Sequence, residues 1–136
     1  MKRRFPSLGF GTLVALGLTS PAALAAPALS GAWTGSLGAD RTLTLSLTAN
    51  GSALRGEATL PVLAWVDAGR YQVRGQMLSR SGQPSAQLRL SLGSQWVYDL
   101  TCQPEADLWN CTLETWRGGD RSSAARAWRV KLQPAR

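Results

Sequence analysis

The sequence contains no histidine and only two cysteines, and these scarcities narrow the chemistry that the chain can perform. Without histidine it cannot form a Ser-His-Asp or Cys-His arrangement, or a zinc site that depends on imidazole. Among the few carboxylates, Glu57, Asp99 and Glu114 alternate with apolar residues, which is typical of a solvated face. Gly-rich phosphate loops and calcium-loop patterns are also missing. We therefore expect no catalytic residues, no metal site, no cofactor and no enzymatic activity.

Long apolar runs are confined to the start of the chain. Three cationic residues at positions 2–4 precede an apolar stretch from Leu8 to Leu18, and Ala23 and Ala25 supply the small side chains of a cleavage site. This pattern predicts a secretory signal peptide over residues 1–25. The stretch is shorter than the roughly 20 residues that a membrane-spanning helix needs. We expect an exported mature protein that begins near Ala26, lies in the periplasm or the extracellular space, and does not span a membrane.

Residues 26–136 are long enough for one domain, and export would expose it to an oxidising compartment. Cys102 and Cys111 lie either side of the segment Pro104–Asp107, which predicts a β-hairpin with a cross-strand disulfide. Such a short loop should contribute roughly 2.5 to 3 kcal/mol through lost chain entropy. A redox-active pair is the alternative, but its usual Cys-x-x-Cys spacing is not present.

Cationic residues outnumber acidic ones, but the excess is smaller in the predicted mature chain than in the full sequence. Signal cleavage would remove three of the 15 cations and none of the 8 acidic side chains, which leaves a net charge of +4. The arginines are spaced singly along the mature chain, from Arg41 to Arg136. This spacing predicts a solvated exterior and no specific nucleic-acid site.

Helical periodicity is also missing, because apolar residues alternate with polar ones from Leu29 onward. The predicted strands cover residues 32–37, 41–49, 53–60, 70–79, 86–92, the two arms of the Cys102–Cys111 hairpin, and 124–132. Short connections make neighbouring strands antiparallel, and a closed barrel removes the exposed edges of such a meander. We predict an all-β, eight-stranded antiparallel up-and-down barrel, with a two-sheet β-sandwich as the alternative.

Glycine and proline mark turns and connections of this meander and also occur within its strands. Asn50-Gly51 predicts a type I′ turn, and Pro61 begins a longer connection through Ala68 that contains Trp65. Inward-facing glycines within three strands should permit the sharp coiling of a small barrel. These are Gly35, Gly56 and Gly75.

The first predicted strand contains Gly31-Ala32-Trp33 and resembles the opening of the lipocalin and avidin families, which are calycin-like barrels. In these families that tryptophan closes one end of the barrel. The resemblance to avidins continues through the turn at Asn50-Gly51, through Leu54-Arg55-Gly56, and through the segment from Arg70 to Gly75. It implies a secreted β-barrel with this strand order.

The same resemblance excludes the avidin ligand. Avidins hold the biotin ureido group with an asparagine, a serine and a Tyr-x-Ser pair. The corresponding positions here are Gly35, Ala39, Ala58 and Leu60, none of which can supply those hydrogen bonds. A site built on such bonds loses most of its affinity without them, so we expect no biotin binding.

Tryptophan is the one residue type in unusual supply, with six in the chain. An eight-stranded barrel can be filled by side chains or can hold one small ligand, and the sequence leaves both options open. If the barrel is open, inward-facing aromatic residues would bind a small hydrophobic or amphipathic ligand. The predicted lining consists of Trp33, Tyr71, Trp96, Tyr98, Trp109 and Trp128.

Two other tryptophans, Trp65 and Trp116, are predicted to lie outside the barrel, where such residues often anchor protein interfaces. Our first hypothesis is an exported, non-catalytic protein that holds a small ligand in the barrel. The alternatives are a protein-binding barrel, such as an envelope enzyme inhibitor, and a structural protein of the envelope. A cavity of about 300 Å³ or more would favour the first hypothesis, and a packed interior would favour the alternatives.

Overall fold

The structure, a computed structural model, describes residues 29–116 and 126–135. The predicted signal peptide, the expected mature start near Ala26 and the first two residues of the predicted strand 124–132 lie outside these residues.

Eight antiparallel strands form one closed barrel in which each strand pairs with the next along the chain. The barrel closes where β1 pairs with β8, through Trp33 opposite Pro134 and Thr34 opposite Gln133. The up-and-down barrel is therefore confirmed, and the sandwich alternative is wrong. The strands are β1 (Gly31–Gly38), β2 (Arg41–Asn50), β3 (Ala53–Leu60), β4 (Gly69–Arg80), β5 (Gln83–Leu92), β6 (Gln95–Glu105), β7 (Leu108–Thr115) and β8 (Arg126–Pro134).

The predicted disulfide staples the hairpin of β6 and β7. Cys102 and Cys111 are direct cross-strand partners with their Cα atoms 4.0 Å apart. The hairpin turn is shorter than the predicted Pro104–Asp107 segment, because β6 continues to Glu105 and only two residues connect the strands. Pro104 is tolerated in the strand because pairing between β5 and β6 ends at Cys102, so its missing N–H faces no partner strand.

The same reasoning explains the early start of β5, which was predicted to begin at Ala86. Pro84 pairs with Ser79 of β4, while pairing with β6 begins only at Ala86. The turn before β5 is therefore only Ser81-Gly82, and both of its residues have positive φ, at 50° and 77°. Those angles are typical of the type I′ turns that join twisted hairpins.

The predicted type I′ turn at Asn50-Gly51 lies one residue later than expected. Asn50 pairs with Ala53, so Gly51 and Ser52 are the two turn residues. Only Gly51 has a positive φ, at 63°, which matches a type II′ turn with glycine at its first central position.

The barrel core follows the alternation of the sequence. Inward-facing residues of all eight strands are buried, and most of them are leucines. Gly56 and Gly75 also face inward, and a Cβ atom at either position would collide with a backbone carbonyl of the preceding or following strand. These glycines therefore allow neighbouring strands to approach closely, while the predicted sharp coiling stays a prediction. We call the end of the barrel that carries the β3–β4 and β5–β6 connections the loop end, and the other the hairpin end.

Candidate functional site

Aromatic side chains fill the interior of the barrel. Tyr71, Tyr98 and Trp109 have no solvent-accessible surface, and the leucines around them are equally buried. The rings of Tyr71 and Tyr98 meet edge to face with centroids 5.4 Å apart. An internal space large enough for a water molecule would leave measurable accessible surface on these side chains. The lumen is therefore packed with protein atoms around Tyr71, Tyr98 and Trp109.

Few polar atoms point into this packed interior. The Tyr71 hydroxyl donates a hydrogen bond to the Asp67 carbonyl in the β3–β4 connection, at 3.2 Å. Among the described residues the indole nitrogen of Trp109 has no hydrogen-bond partner, and the hydroxyl of Tyr98 has only a weak interaction with the Tyr71 hydroxyl. Burial raises the pKa of both tyrosine hydroxyls above the usual value of 10.0. These groups stay neutral at physiological pH and are sealed from solvent.

Two further residues of the predicted lining lie near the barrel ends. Trp33 is buried at the hairpin end, where its indole N–H donates to the Ser30 carbonyl at 3.1 Å. Trp128 pairs with the buried Leu113 but is only half-buried, with the Arg126 guanidinium carbon 5.3 Å from its ring centroid.

The expected inward orientation of Trp96 is wrong, because a β-bulge shifts the register between β5 and β6. Leu90 pairs with Tyr98, but the next residue, Ser91, pairs with Trp96, so that Val97 is the extra residue. Strict alternation would place Trp96 on the same face as Tyr98. The bulge instead turns the Trp96 side chain to the outer surface.

On the outer surface, Trp96 forms one wall of a groove that we call the β4–β6 groove. The indole N–H of Trp96 donates to Asp99 Oδ1 at 2.7 Å and to the Tyr98 carbonyl at 3.1 Å. The Arg89 guanidinium carbon lies 3.5 Å from the Trp96 ring centroid. The groove has a volume of about 560 Å³ and is lined by Arg74, Gly75, Gln76, Gln87, Leu88, Arg89, Trp96, Asp99 and Thr101.

The fold also brings together arginines that are far apart in the sequence. Arg55, Arg74 and Arg89 are direct cross-strand partners on β3, β4 and β5, and all three are exposed. We call them the arginine row. Sequence analysis missed this row because its members are 19 and 15 residues apart, and only the strand register aligns them.

Charge is segregated around the barrel. The β6–β7 hairpin carries four acidic residues and no lysine or arginine. Strands β3 to β5 and their connections, residues 53–92, carry five arginines against two acidic residues. Single charges along the sequence therefore become a basic sector beside an acidic one in the folded protein.

At the loop end, three large apolar side chains are exposed. Val62 and Trp65 lie in the β3–β4 connection with exposed fractions of 56% and 41%, and Leu92 ends β5 with 44%. We call these three residues the apolar tip. A bridge between Leu63 and Val66 folds the β3–β4 connection, and the buried Leu63 packs into the core beneath it. This bend leaves Val62 and Trp65 on the outside, and the predicted exposure of Trp65 is confirmed.

Trp116 follows β7 at the same end and is half-buried. Its ring meets Trp96 edge to face, with centroids 5.7 Å apart. The second predicted interface residue therefore packs against Trp96 and is not as exposed as Trp65.

Fold and site define a class of protein: a closed, eight-stranded up-and-down barrel with one disulfide-linked hairpin and, among the described residues, a core in which Tyr71, Tyr98 and Trp109 are fully buried. Comparisons of the chain with protein-family models, with curated proteins and with solved structures find no match. Among residues 29–116 and 126–135, no three His, Cys, Asp or Glu side chains are grouped so that they could hold a metal ion. A helix of the length and hydropathy that a bilayer crossing requires is not found in the described part of the chain.

Proposed function

We propose that the protein is an exported, non-catalytic binding protein that contacts a protein partner with its loop end. The observation that carries this proposal is the apolar tip of Val62, Trp65 and Leu92 beside a packed lumen. Tryptophan is strongly enriched among the residues that dominate binding energy at protein interfaces. Of the hypotheses derived from the sequence, the protein-binding barrel is the one that this arrangement favours.

The packed lumen argues against a small ligand inside the barrel. Sites for small molecules usually have volumes of about 300 to 1,000 Å³. Tyr71, Tyr98 and Trp109, the central residues of the predicted lining, have no accessible surface. A ligand could enter only if several core side chains moved out of close packing, which would expose the apolar area that stabilises the barrel.

Export is supported by two features of the chain. Residues 1–25 have the charge, hydropathy and cleavage-site pattern of a secretory signal peptide. The Cys102–Cys111 disulfide is compatible with an oxidising compartment. A protein partner in the periplasm or the extracellular space would meet the apolar tip directly.

The positions of the three apolar side chains define the features that a partner surface must have. Val62 and Trp65 lie on the β3–β4 connection, and Leu92 ends β5 just before the β5–β6 turn at the same end of the barrel. A complementary surface would present an apolar pocket for the Trp65 indole and a rim that covers the two aliphatic side chains. An enzyme whose active-site cleft supplies such a pocket would be inhibited by this contact.

Site-specific photo-crosslinking in the producing cells tests the proposal. A photoreactive amino acid replaces Val62 at the loop end or, as the control, Asp107 in the turn at the hairpin end. We expect a discrete protein adduct from position 62 that is absent from position 107. The adduct should decrease at least tenfold when Trp65→Ala is added. Adducts of equal pattern from both positions, or none from position 62, would overturn the proposal.

A further inference from the structure

We propose that the protein forms a two-fold symmetric dimer, in which the outer face of β4 to β7 in one copy contacts the same face of a second copy. This face lies on the side of the barrel and does not include the apolar tip. Three features lead to the dimer: the order of the charges across the face, the tryptophans beside those charges, and the arrangement that a two-fold axis allows.

The arginine row continues across β6 and β7 into two carboxylates. Arg89 is the direct cross-strand partner of Asp99, and Asp99 is the partner of Glu114. We call this series the charge line, and in strand order it consists of Arg55, Arg74, Arg89, Asp99 and Glu114. The arginines are exposed and the carboxylates are half-buried. Opposite charges therefore meet once, between β5 and β6, while like charges lie side by side in both halves of the line and destabilise the sheet there.

The order of the signs makes the charge line complementary to itself. A two-fold axis that runs parallel to the strands, between β5 and β6, places the positive half of one line against the negative half of the other. Arg89 then faces Asp99 of the second copy, and Arg74 faces Glu114 of the second copy. Each contact occurs twice, as in every isologous interface. Paired strands are about 4.8 Å apart, so both contacts lie within about 10 Å of the axis.

The same charges disfavour the other orientation. An axis perpendicular to the strands would place each charge against the identical residue of the second copy, and like-charge contacts across an interface are strongly unfavourable. The charge line therefore selects the axis parallel to the strands. Rotation about that axis preserves the strand direction, so the loop ends of both copies point to the same side. The dimer would present two apolar tips to one partner surface, which raises the effective concentration for the second contact.

Two tryptophans lie beside the place where the sign of the charge line changes. Trp96 and Trp116 are half-buried and meet edge to face, with ring centroids 5.7 Å apart. The guanidinium carbon of Arg89 lies 3.5 Å from the Trp96 ring centroid, and the Trp96 indole N–H donates to Asp99 Oδ1 at 2.7 Å. Tryptophan and arginine are enriched among the residues that dominate binding energy at interfaces. Because these contacts hold the side chains in place before association, less rotamer freedom is lost when the dimer forms.

Neutral polar side chains lie beside the charge line near the proposed axis. Gln87 and Thr101 are exposed cross-strand partners, one on each side of that axis. The rotation brings Gln87 of one copy opposite Thr101 of the other. Amide and hydroxyl groups both donate and accept hydrogen bonds, so this contact can be satisfied at both of its symmetric positions.

Sedimentation velocity of the exported, oxidised protein tests the dimer. Arg74→Glu and Glu114→Arg each place like charges opposite one another across the axis, whereas the double variant restores opposite charges with the signs exchanged. Arg129→Glu is the control, because it reverses an exposed charge on β8, opposite Thr112 and outside the charge line. Each protein is measured in about 0.1 M and about 1 M NaCl, where charges are screened over about 10 Å and about 3 Å.

We expect the unmodified protein to dimerise with a dissociation constant in the micromolar range at the lower salt concentration. This constant should rise at least tenfold in each single variant and at the higher salt concentration. It should return to within threefold in the double variant and change less than twofold in the control. A monomer at all concentrations up to the millimolar range would overturn the proposal. Single variants that weaken the dimer no more than the control does, or a double variant weaker than either single variant, would also overturn it.

Stability measurements separate a lost interface from a damaged fold. Arg74→Glu removes the like charge opposite Arg55 and Arg89. Glu114→Arg likewise removes the like charge opposite Asp99. Each single variant should therefore be at least as stable as the unmodified protein in urea unfolding at concentrations below the dissociation constant. Loss of stability in both variants would contradict the charge line and overturn the proposal.

The orientation of the two copies has its own test. A spin label on Ser94→Cys, in the exposed turn between β5 and β6, lies at the loop end beside the proposed axis. An axis parallel to the strands should place the two labels less than about 20 Å apart. An axis perpendicular to the strands would separate them by about 30 Å, because Ser94 is five residues from Arg89 and each residue advances a strand by about 3.3 Å. A separation of about 30 Å, measured by double electron–electron resonance, would overturn the proposed arrangement.

Discussion

Replacing Gly56 by alanine tests whether β2 and β3 approach as closely as the barrel requires. A Cβ atom at Gly56 would fall well inside 3.0 Å of the Ser46 carbonyl oxygen, closer than real Cβ atoms come to other heavy atoms. Both groups belong to backbone within a paired ladder, so neither can rotate away. The two strands would have to separate locally by about 1 Å.

The loss of folding free energy in Gly56→Ala follows from the hydrogen bonds that this separation of the strands lengthens. An N–H···O distance of about 2.9 Å would become about 3.9 Å, which is too long for a hydrogen bond. Two flanking ladder bonds would be affected, and each unsatisfied buried group costs roughly 1 to 3 kcal/mol. Alanine loses less backbone entropy than glycine on folding, and this difference offsets only about 0.5 to 1 kcal/mol of the cost. We expect Gly56→Ala to lower the free energy of unfolding by about 1 to 5.5 kcal/mol.

Urea unfolding of the oxidised mature protein, followed by tryptophan fluorescence, measures this difference. Gly69→Ala is the matched control, because the nearest atom to its added Cβ would be Tyr71 Cε1 at 3.8 Å, an ordinary contact. This control should be unchanged or more stable by up to about 1 kcal/mol. If Gly56→Ala is as stable as Gly69→Ala, the close approach of β2 and β3 is wrong.

Other predictions concern the disulfide and the two buried tyrosines. Replacing Cys102 and Cys111 together by alanine should lower the free energy of unfolding by at least about 2.5 kcal/mol in the same urea assay, and an unchanged midpoint would contradict the entropic argument. Tyr71→Phe should cost about 1 kcal/mol because the hydroxyl loses its bond to the Asp67 carbonyl. Tyr98→Phe should cost less than Tyr71→Phe, since the Tyr98 hydroxyl has only its weak interaction with the Tyr71 hydroxyl to lose, and a larger loss for Tyr98→Phe than for Tyr71→Phe would refute the assigned contacts. Because burial raises the pKa of both hydroxyls, they ionise first in the unfolded chain, and stability should fall as pH rises above about 10. In urea unfolding between pH 9 and pH 11, the free energy of unfolding should fall by at most about 1.4 kcal/mol per pH unit for each tyrosine. This decrease should be smaller in Tyr98→Phe. If neither phenylalanine variant changes the decrease, the assignment to the two tyrosines is wrong.

Local alternation was enough to predict the meander and most of the core. The side chains of Leu43, Leu45 and Leu47 face inward as expected, because a strand of period two has only two faces and one of them is apolar. The pairing of Cys102 with Cys111 was likewise predicted from a short hairpin in which two strands can meet in few registers.

The candidate site depended on register between strands, which the local pattern does not contain. One extra residue in β6 reversed the side on which Trp96 lies, and no turn residue or glycine marks this bulge in the sequence. The arginine row arises in the same way, because Arg55, Arg74 and Arg89 become neighbours only when two hairpins set their alignment. The tight Ser81-Gly82 turn could have aligned Arg74 with Arg89, but the longer β3–β4 connection leaves the register of Arg55 unspecified.

Titration of the mature protein with fatty acids, followed by tryptophan fluorescence, tests the central claim that binding takes place outside a filled barrel. The account predicts no saturable change at micromolar concentration, because the described lumen has no room for an acyl chain. Saturable quenching that persists in Trp65→Phe and is lost in Trp109→Phe would contradict the account, since it would place the ligand inside the barrel.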